Sequence, residues 1–258
     1  TQQASAMEKV ALPEIIGTMI DTVLKEGRTL LTEAEAKLVL SAAGIPVVET
    51  RVAQDEEAAV TAAEALGFPV VVKLLSPTIT HKSDCGGVQL HLMNAAAVHE
   101  AWQTIHDSVT ALHGDEAFAG VTVQRMVMAK GTELILGAST DAQFGPVLLF
   151  GAGGTLVEVF QDRALVLPPL THTLARHWIE QTKIAQVLHG VRGRSAVDLA
   201  ALDEVLVNFA RLVQQERRIV ELDINPLLAL PEGIVALDAR IVIRSVPEQT
   251  PDSFCRLI

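Results

Sequence analysis

Apolar residues recur at helical spacing from 14 to 26, after Pro13, and stop at Gly27, which predicts an amphipathic helix. Thr32 and Glu35 form a capping-box pattern for a second helix running to Ala43, with Gly44 at its C′ position. PVVETRV (46–52) predicts a strand, Asp55 opens an Ala-rich helix over 56–66, Gly67 ends it, and a strand at 69–75 follows. This strand–helix–strand order with short links implies a layered α/β unit. Next come a strand near 87–92 and a helix from about 95 to 112, capped by Asn94. Strands at 121–128, 132–140 and 146–151 are spaced as antiparallel neighbours. GAGG (151–154) reads as a turn, with strands near 155–160 and 163–167 beyond it and short helices across 172–189. Helix 198–216 and strands at 219–227 and 233–243 complete the chain, Pro231 and Gly233 marking the last turn. There is no internal repeat. The order fits an α/β (α+β) protein of two lobes sharing a cleft.

Composition narrows the function classes. Of 258 residues, 49% are apolar and 20% charged, enough for a packed core and too few charges for wholesale disorder. A net charge of −11 with no Tyr and only two Trp argues against nucleic-acid binding, whether through phosphate contacts or base stacking. Cys85 and Cys255 form no ligand spacing and no disulfide framework, which suits a reducing cytoplasm. No signal peptide and no apolar run of membrane-span length is apparent, so no membrane role is expected. The chain starts at Thr1 without a Met, and its end, RSVPEQTPDSFCRLI, reads as linker. We therefore expect a piece of a longer polypeptide: a helix and lead-in over 1–30, the main domain over 31–243, and a linker over 244–258.

Candidate chemistry concentrates in VVVKLLSPTITHKSDCGGVQL (70–90). A β-branched run ends in Lys73, and a polar loop then carries His81, Lys82, Ser83 and Asp84 before Gly86-Gly87. An ammonium at a strand end beside a glycine-bearing loop suits phosphate, since backbone N–H groups and the lysine can both meet its oxygens. A phosphate cradle does not require a histidine. His81 is open to three readings: a surface group, a metal ligand that lacks a second His or Cys at ligand spacing, or a nucleophile toward phosphorus, with Lys82 and backbone N–H groups stabilising the charge.

The C-terminal strands carry a second signal. Asp223 and Asn225, two apart on a strand, point to the same side, and antiparallel pairing would bring Asp238 alongside. These are hard oxygen donors of the kind Mg²⁺ takes when it also binds substrate phosphates, and Glu221 widens the choice. The plainer alternative is a turn before Pro226 with Asp238 exposed. VQRMVMAKGTELILG (123–137) is two strands joined by a short link, either an ordinary hairpin or a hinge whose backbone reads an adenine edge while Glu133 accepts from ribose. GAGG lacks the dinucleotide fingerprint and reads as a flexible turn. Arg192 and Arg194 in HGVRGR either meet an incoming phosphate or are solvated, and solvation is the plainer reading.

Taken together, LTEAEAKLVLSAAGIPV, VVVKLLSPTITHKSDCGGV, VQRMVMAKGTELILG, GAGGTLVEV and VELDINPLLA…ALDAR resemble the ATP-grasp β unit of NDP-forming acyl-CoA synthetases across roughly residues 14–243. Succinyl-CoA synthetase β subunits are more distant relatives. The resemblance implies an ATP-grasp fold with nucleotide between two lobes, and ATP or ADP with Mg²⁺ as ligands. It places Lys73 on the phosphates together with the Gly86-Gly87 loop, Gln124, Arg125, Met126 and Val127 at the adenine hinge, and Glu133 on the ribose. Asn225 and Asp238 match the Mg²⁺ positions, with Asp223 beside them. His81 matches a histidine that carries a phosphoryl group between a partner CoA-binding α unit and ADP. The net reaction implied is acyl-CoA + ADP + phosphate ⇌ acid + CoA + ATP. Cys85 stands where an aliphatic residue is expected. The C-terminal tail also resembles a linker to a GNAT-type acetyltransferase, which implies an alternative role as a nucleotide- or acyl-CoA-sensing domain without turnover.

Overall fold

The computed structural model describes residues 11–79, 82–154, 162–191 and 195–245. His81, the strand expected near 155–160, Arg192, Arg194 and most of the expected linker lie outside the described residues. Two antiparallel sheets organise the rest, each with its own core.

The smaller sheet contains β1 (Thr50–Ala53), β2 (Val70–Leu74), β3 (Val88–Leu92) and β4 (Val121–Arg125) in the order β1-β4-β2-β3. Helices α3 (Glu56–Leu66) and α4 (Ala95–His113) cover it, burying Ala59, Ala63, Val98, Ile105 and Val109 against Val70, Val72 and Val123. Asp55 and Asn94 cap these helices by accepting from the backbone N–H groups of Ala58 and Ala97. β4 lies between β1 and β2, so the expected strand–helix–strand unit is split by a strand that arrives later in the chain.

The larger sheet runs β10-β8-β5-β6-β7, with β9 also on β8. Its strands are β5 (Thr132–Asp141), β6 (Gly145–Ala152), β7 (Arg163–Val166), β8 (Ile219–Leu230), β9 (Gly233–Ala236) and β10 (Ala239–Ile243). Helices α1 (Glu14–Lys25), α2 (Glu33–Ala42), α5 (His172–Glu180), α6 (Ala185–Leu188) and α7 (Leu199–Gln215) join its core. Trp178 stacks at a tilt on Phe150, with centroids 5.7 Å apart, and donates its indole N–H to the Ala164 carbonyl at 3.1 Å.

Three sequence expectations need correction. The strand expected over 46–52 is paired as a strand only from Thr50: Val47 bridges Ala236 of the larger sheet, whereas Thr50 faces Gln124 of the smaller one, so this segment crosses between lobes. The strands expected at 121–128 and 132–140 are not a hairpin. β4 stops at Arg125 because its partners β1 and β2 end there, and the chain passes to the other sheet before β5. The strand expected over 233–243 is broken at Leu237-Asp238, opposite Asn225-Pro226, although both halves keep one register against β8 as far as Val242. Among the described residues, no helix is long and apolar enough to cross a membrane.

Candidate active site

β8 alternates cleanly: Leu222 and Ile224 enter the core, while Glu221, Asp223 and Asn225 stay on the opposite face. β10 pairs Ala239 with Ile224 and Arg240 with Asp223, so Asp238 arrives one step further on, beside Asn225. The Arg240 guanidinium donates to Glu221 at 3.0 Å and Asp223 at 3.3 Å. Burial pushes the Asp223 carboxyl up, and the pull from Arg240 only partly opposes it. Asp238 accepts the Ala239 N–H at 2.8 Å through Oδ1 and the Lys73 ammonium at 2.9 Å through Oδ2. Glu33, Lys82, Asp223, Asn225, Asp238 and Arg240 all line a cleft of about 400 Å³.

One wall of this cleft is a buried charge cluster. Glu33 is the first residue of α2, after a capping box in which Thr32 donates its N–H to Glu35 at 2.7 Å and accepts the Glu35 N–H at 3.3 Å. The side chain of Glu33 is 2% exposed, yet three lysines converge on it. Its Oε1 accepts from Lys37 at 2.7 Å and from Lys73 at 2.9 Å, while Oε2 accepts from Lys82. Lys37 also donates to Gln124 at 2.7 Å and Thr50 at 2.9 Å, and Lys73 to the Leu237 carbonyl at 3.1 Å. Burial alone would push the Glu33 carboxyl up, but Lys73, Lys37 and Lys82 outweigh it and hold it well below the ordinary carboxylate range. Burial pulls Lys37 down to about 8 despite Glu33. Lys73 feels the same burial but is held above its usual value by Glu33 and Asp238. Because α2 packs in the core of the larger sheet while Lys73, Lys82, Gln124 and Thr50 come from the smaller lobe, the cluster bridges the two.

The expected site residues divide accordingly. Asp223, Asn225 and Asp238 converge on one cleft. Lys73 lies behind its wall, with three acceptors for its three protons. Lys82 is the lysine that reaches the cleft surface. Gly86 and Gly87 serve the backbone: Gly86 has φ +71°, and a Cβ on Gly87 would lie 2.8 Å from the Lys82 carbonyl, whose oxygen accepts the Gly87 N–H. Gln124 hydrogen-bonds Lys37, and its backbone lies in a central strand between β1 and β2. Arg125, Met126, Val127 and Glu133 follow along the crossing between sheets and do not line this cleft. A Cβ on Gly154 would sit 2.5 Å from the Glu133 carboxylate, so the glycine run allows close approach there.

Glu33 and Lys37 escaped the sequence reading, since a Glu–Lys pair at i, i+4 after a capping box is an ordinary solvent-facing pattern. The only signal was their place in LTEAEAK, with Glu33 just after the Thr32 cap and Lys37 one turn on. Among the described residues, no three His, Cys, Asp or Glu side chains converge on a metal. Asn225 and Asp238 are instead two neighbouring oxygen donors, a set suited to Mg²⁺ that takes its other ligands from water and phosphate.

An ATP-grasp domain model matches residues 22–243, and the chain belongs to that family. It is 38% identical, over 237 residues, to the β subunit of acetate–CoA ligase [ADP-forming] I from Pyrococcus furiosus, covering 92% of this chain and all of that one. Acetyl-coenzyme A synthetase 1 of Ca. Korarchaeum cryptofilum, solved with coenzyme A, Ca-AMPCP and HgCl⁺, superposes with a TM-score of 0.84 at 38% identity, covering 88% of this chain and 99% of that one. A second structure of that enzyme, with coenzyme A and Mg-AMPPCP and its phosphohistidine segment pointing towards the nucleotide-binding site, gives 0.78 at 36% identity, covering 89% and 100%. The resemblance carried by the THKSDCGGV and ELDINPL motifs is thus correct, while the acetyltransferase-linked alternative gains no support from these relatives.

Proposed function

We propose that this chain is the nucleotide-binding β part of an ADP-forming acid–CoA ligase, working with a CoA-binding α unit supplied by a partner subunit or by the same longer chain. One observation carries the reading: Asn225, Asp238 and Asp223 share a cleft with Lys82, and Lys73 stands directly behind Asp238. Bound Mg²⁺ would be held by Asn225 and Asp238 and would neutralise phosphate charge. Asp238 would then turn from Lys73 to the metal, leaving the Lys73 ammonium a proton to direct at phosphate oxygen. Lys82 meets the same phosphates from the cleft surface, so catalysis is positioning and charge neutralisation. Met126 and Val127, just past the end of β4, are the backbone positions for the adenine edge, and Glu133 serves the ribose. His81 carries the phosphoryl group. Its N–P bond breaks as a terminal phosphate oxygen of ADP forms the new P–O bond; the bond's electron pair stays on the ring nitrogen, and the imidazole leaves neutral because its other nitrogen carries a proton taken up from solvent.

Calorimetric titration with ADP, with and without Mg²⁺, tests the reading. Wild type should bind ADP more tightly with Mg²⁺, and Asp238→Asn should lose most of that gain. Equal Mg²⁺ dependence in the two proteins would remove Asp238 from the site, and no ADP binding by wild type would overturn the function.

A further inference from the structure

We propose that Glu33 is a positioning residue for the nucleotide phosphates, the fixed anchor that aims Lys73 and Lys82 into the cleft; this rests on the nucleotide-binding reading above. Glu33 itself touches no phosphate. Its two oxygens divide the work: Oε1 holds Lys73, set behind the cleft, and Oε2 holds Lys82, on the cleft surface. Lys73 has a second carboxylate partner, Asp238, for which a bound Mg²⁺ would compete. With Asp238 turned to the metal, Lys73 would stay tethered by Glu33, now at 2.9 Å, and by the Leu237 carbonyl, now at 3.1 Å, and so would be aimed at phosphate instead of swinging free.

Stability alone does not account for such a cluster. Well-packed apolar residues at buried ion-pair positions are often equally or more stabilising, so burying one carboxylate among three ammonium groups points to a task that needs the charges in place. The carboxylate is also well sited for it. Glu33 occupies the first turn of α2, where the helix dipole favours an anion, and α2 is rooted in the larger lobe through Ala36, Val39 and Leu40. An anchor on the larger lobe therefore sets two lysines of the smaller one, Lys73 against Asp238 and Lys82 on the cleft that Asn225 and Asp238 also line.

The charge count makes the test decisive. If Glu33 were only a negative charge near the phosphates, removing it would strengthen anion binding. If it orients the lysines, removing it weakens phosphate binding and leaves the nucleoside contacts intact. The experiment compares full-length wild type, Glu33→Gln and Glu33→Asp, titrating Mg·ADP by calorimetry and adenosine by ligand-observed NMR. Glu33→Asp keeps the charge but withdraws the oxygens from the lysines, and it carries the test should Glu33→Gln not fold. We expect Mg·ADP affinity to fall about 10- to 100-fold in each variant, equivalent to the loss of one or two charge-assisted hydrogen bonds, with adenosine affinity unchanged within two-fold. Wild-type or tighter Mg·ADP binding by the variants overturns the anchor role, as does an equal loss of Mg·ADP and adenosine. If wild type itself binds no Mg·ADP, the functional reading fails first and this inference with it.

Discussion

Replacing Lys37 by Met keeps the length and apolar stem of the side chain while deleting the ammonium that joins α2 to the smaller lobe. Three contacts go: Glu33 at 2.7 Å, Gln124 at 2.7 Å and Thr50 at 2.9 Å. Glu33 keeps Lys73 and Lys82, so the full penalty of an orphaned buried carboxylate, about 3–5 kcal/mol, does not arise. The Gln124 carbonyl oxygen, on a residue only 4% exposed, loses its donor, which costs about 1–3 kcal/mol. A charge-assisted bond to Glu33 is lost as well, while relief from burying an ammonium, visible in the fall of Lys37 to about 8, offsets part of the loss. The net expectation is a destabilisation of about 2–4 kcal/mol. For a chain of this size that lowers Tm by about 5–15 °C. Differential scanning calorimetry at pH 7, in low salt and in 0.5 M NaCl (a level chosen about three-fold above physiological ionic strength), measures it. Because Lys37 is 3% exposed, the deficit should persist in salt. An unchanged Tm, or a deficit that salt abolishes, would refute the reading of Lys37 as a buried bridge.

Two further outcomes are expected. Incubated with labelled ATP and Mg²⁺, wild type should acquire an acid-labile, base-stable label that His81→Ala lacks; equal labelling of both would exclude His81 as the phosphoryl carrier. Glu33 titrates below the ordinary carboxylate range in the fold, so its charge contributes stability above the unfolded value of about 4.3 and loses it as pH falls from there toward the lower folded value. The Tm difference between wild type and Glu33→Gln should therefore be widest above about pH 5 and shrink as the pH drops below about 4. A difference that is constant across that range would contradict Glu33 being charged in the native state.

Much of the architecture was legible because it is local. The capping box at Thr32-Glu35, the Asp55 and Asn94 caps and the glycines after helices α2 and α3 are interactions within a few residues, so pattern and outcome coincide. The acidic strand was legible for a related reason: Asp223 and Asn225 share a face by the two-residue period of any strand, and the tight β8–β9 turn, continued by β10 along the same strand, brings Asp238 to them. Strand partners were not legible. Alternation marks VTVQR and TELILG as strands equally, yet they belong to different sheets because β1 and β2 claim β4 first.

By itself, then, the sequence determined most element types, the hard oxygen donors on and beside strand β8 and the motifs that mark an ATP-grasp chain. Only the tertiary structure decided what the charged residues near them do. Lys73 meets Asp238 across 165 residues of chain and Glu33 across 40, separations that no local pattern encodes. The same Glu–Lys pair on α2 would be a solvated surface feature if the smaller lobe did not close over it. Burial, a property of the packed lobes, turns that ordinary pair into the anchor of the cleft.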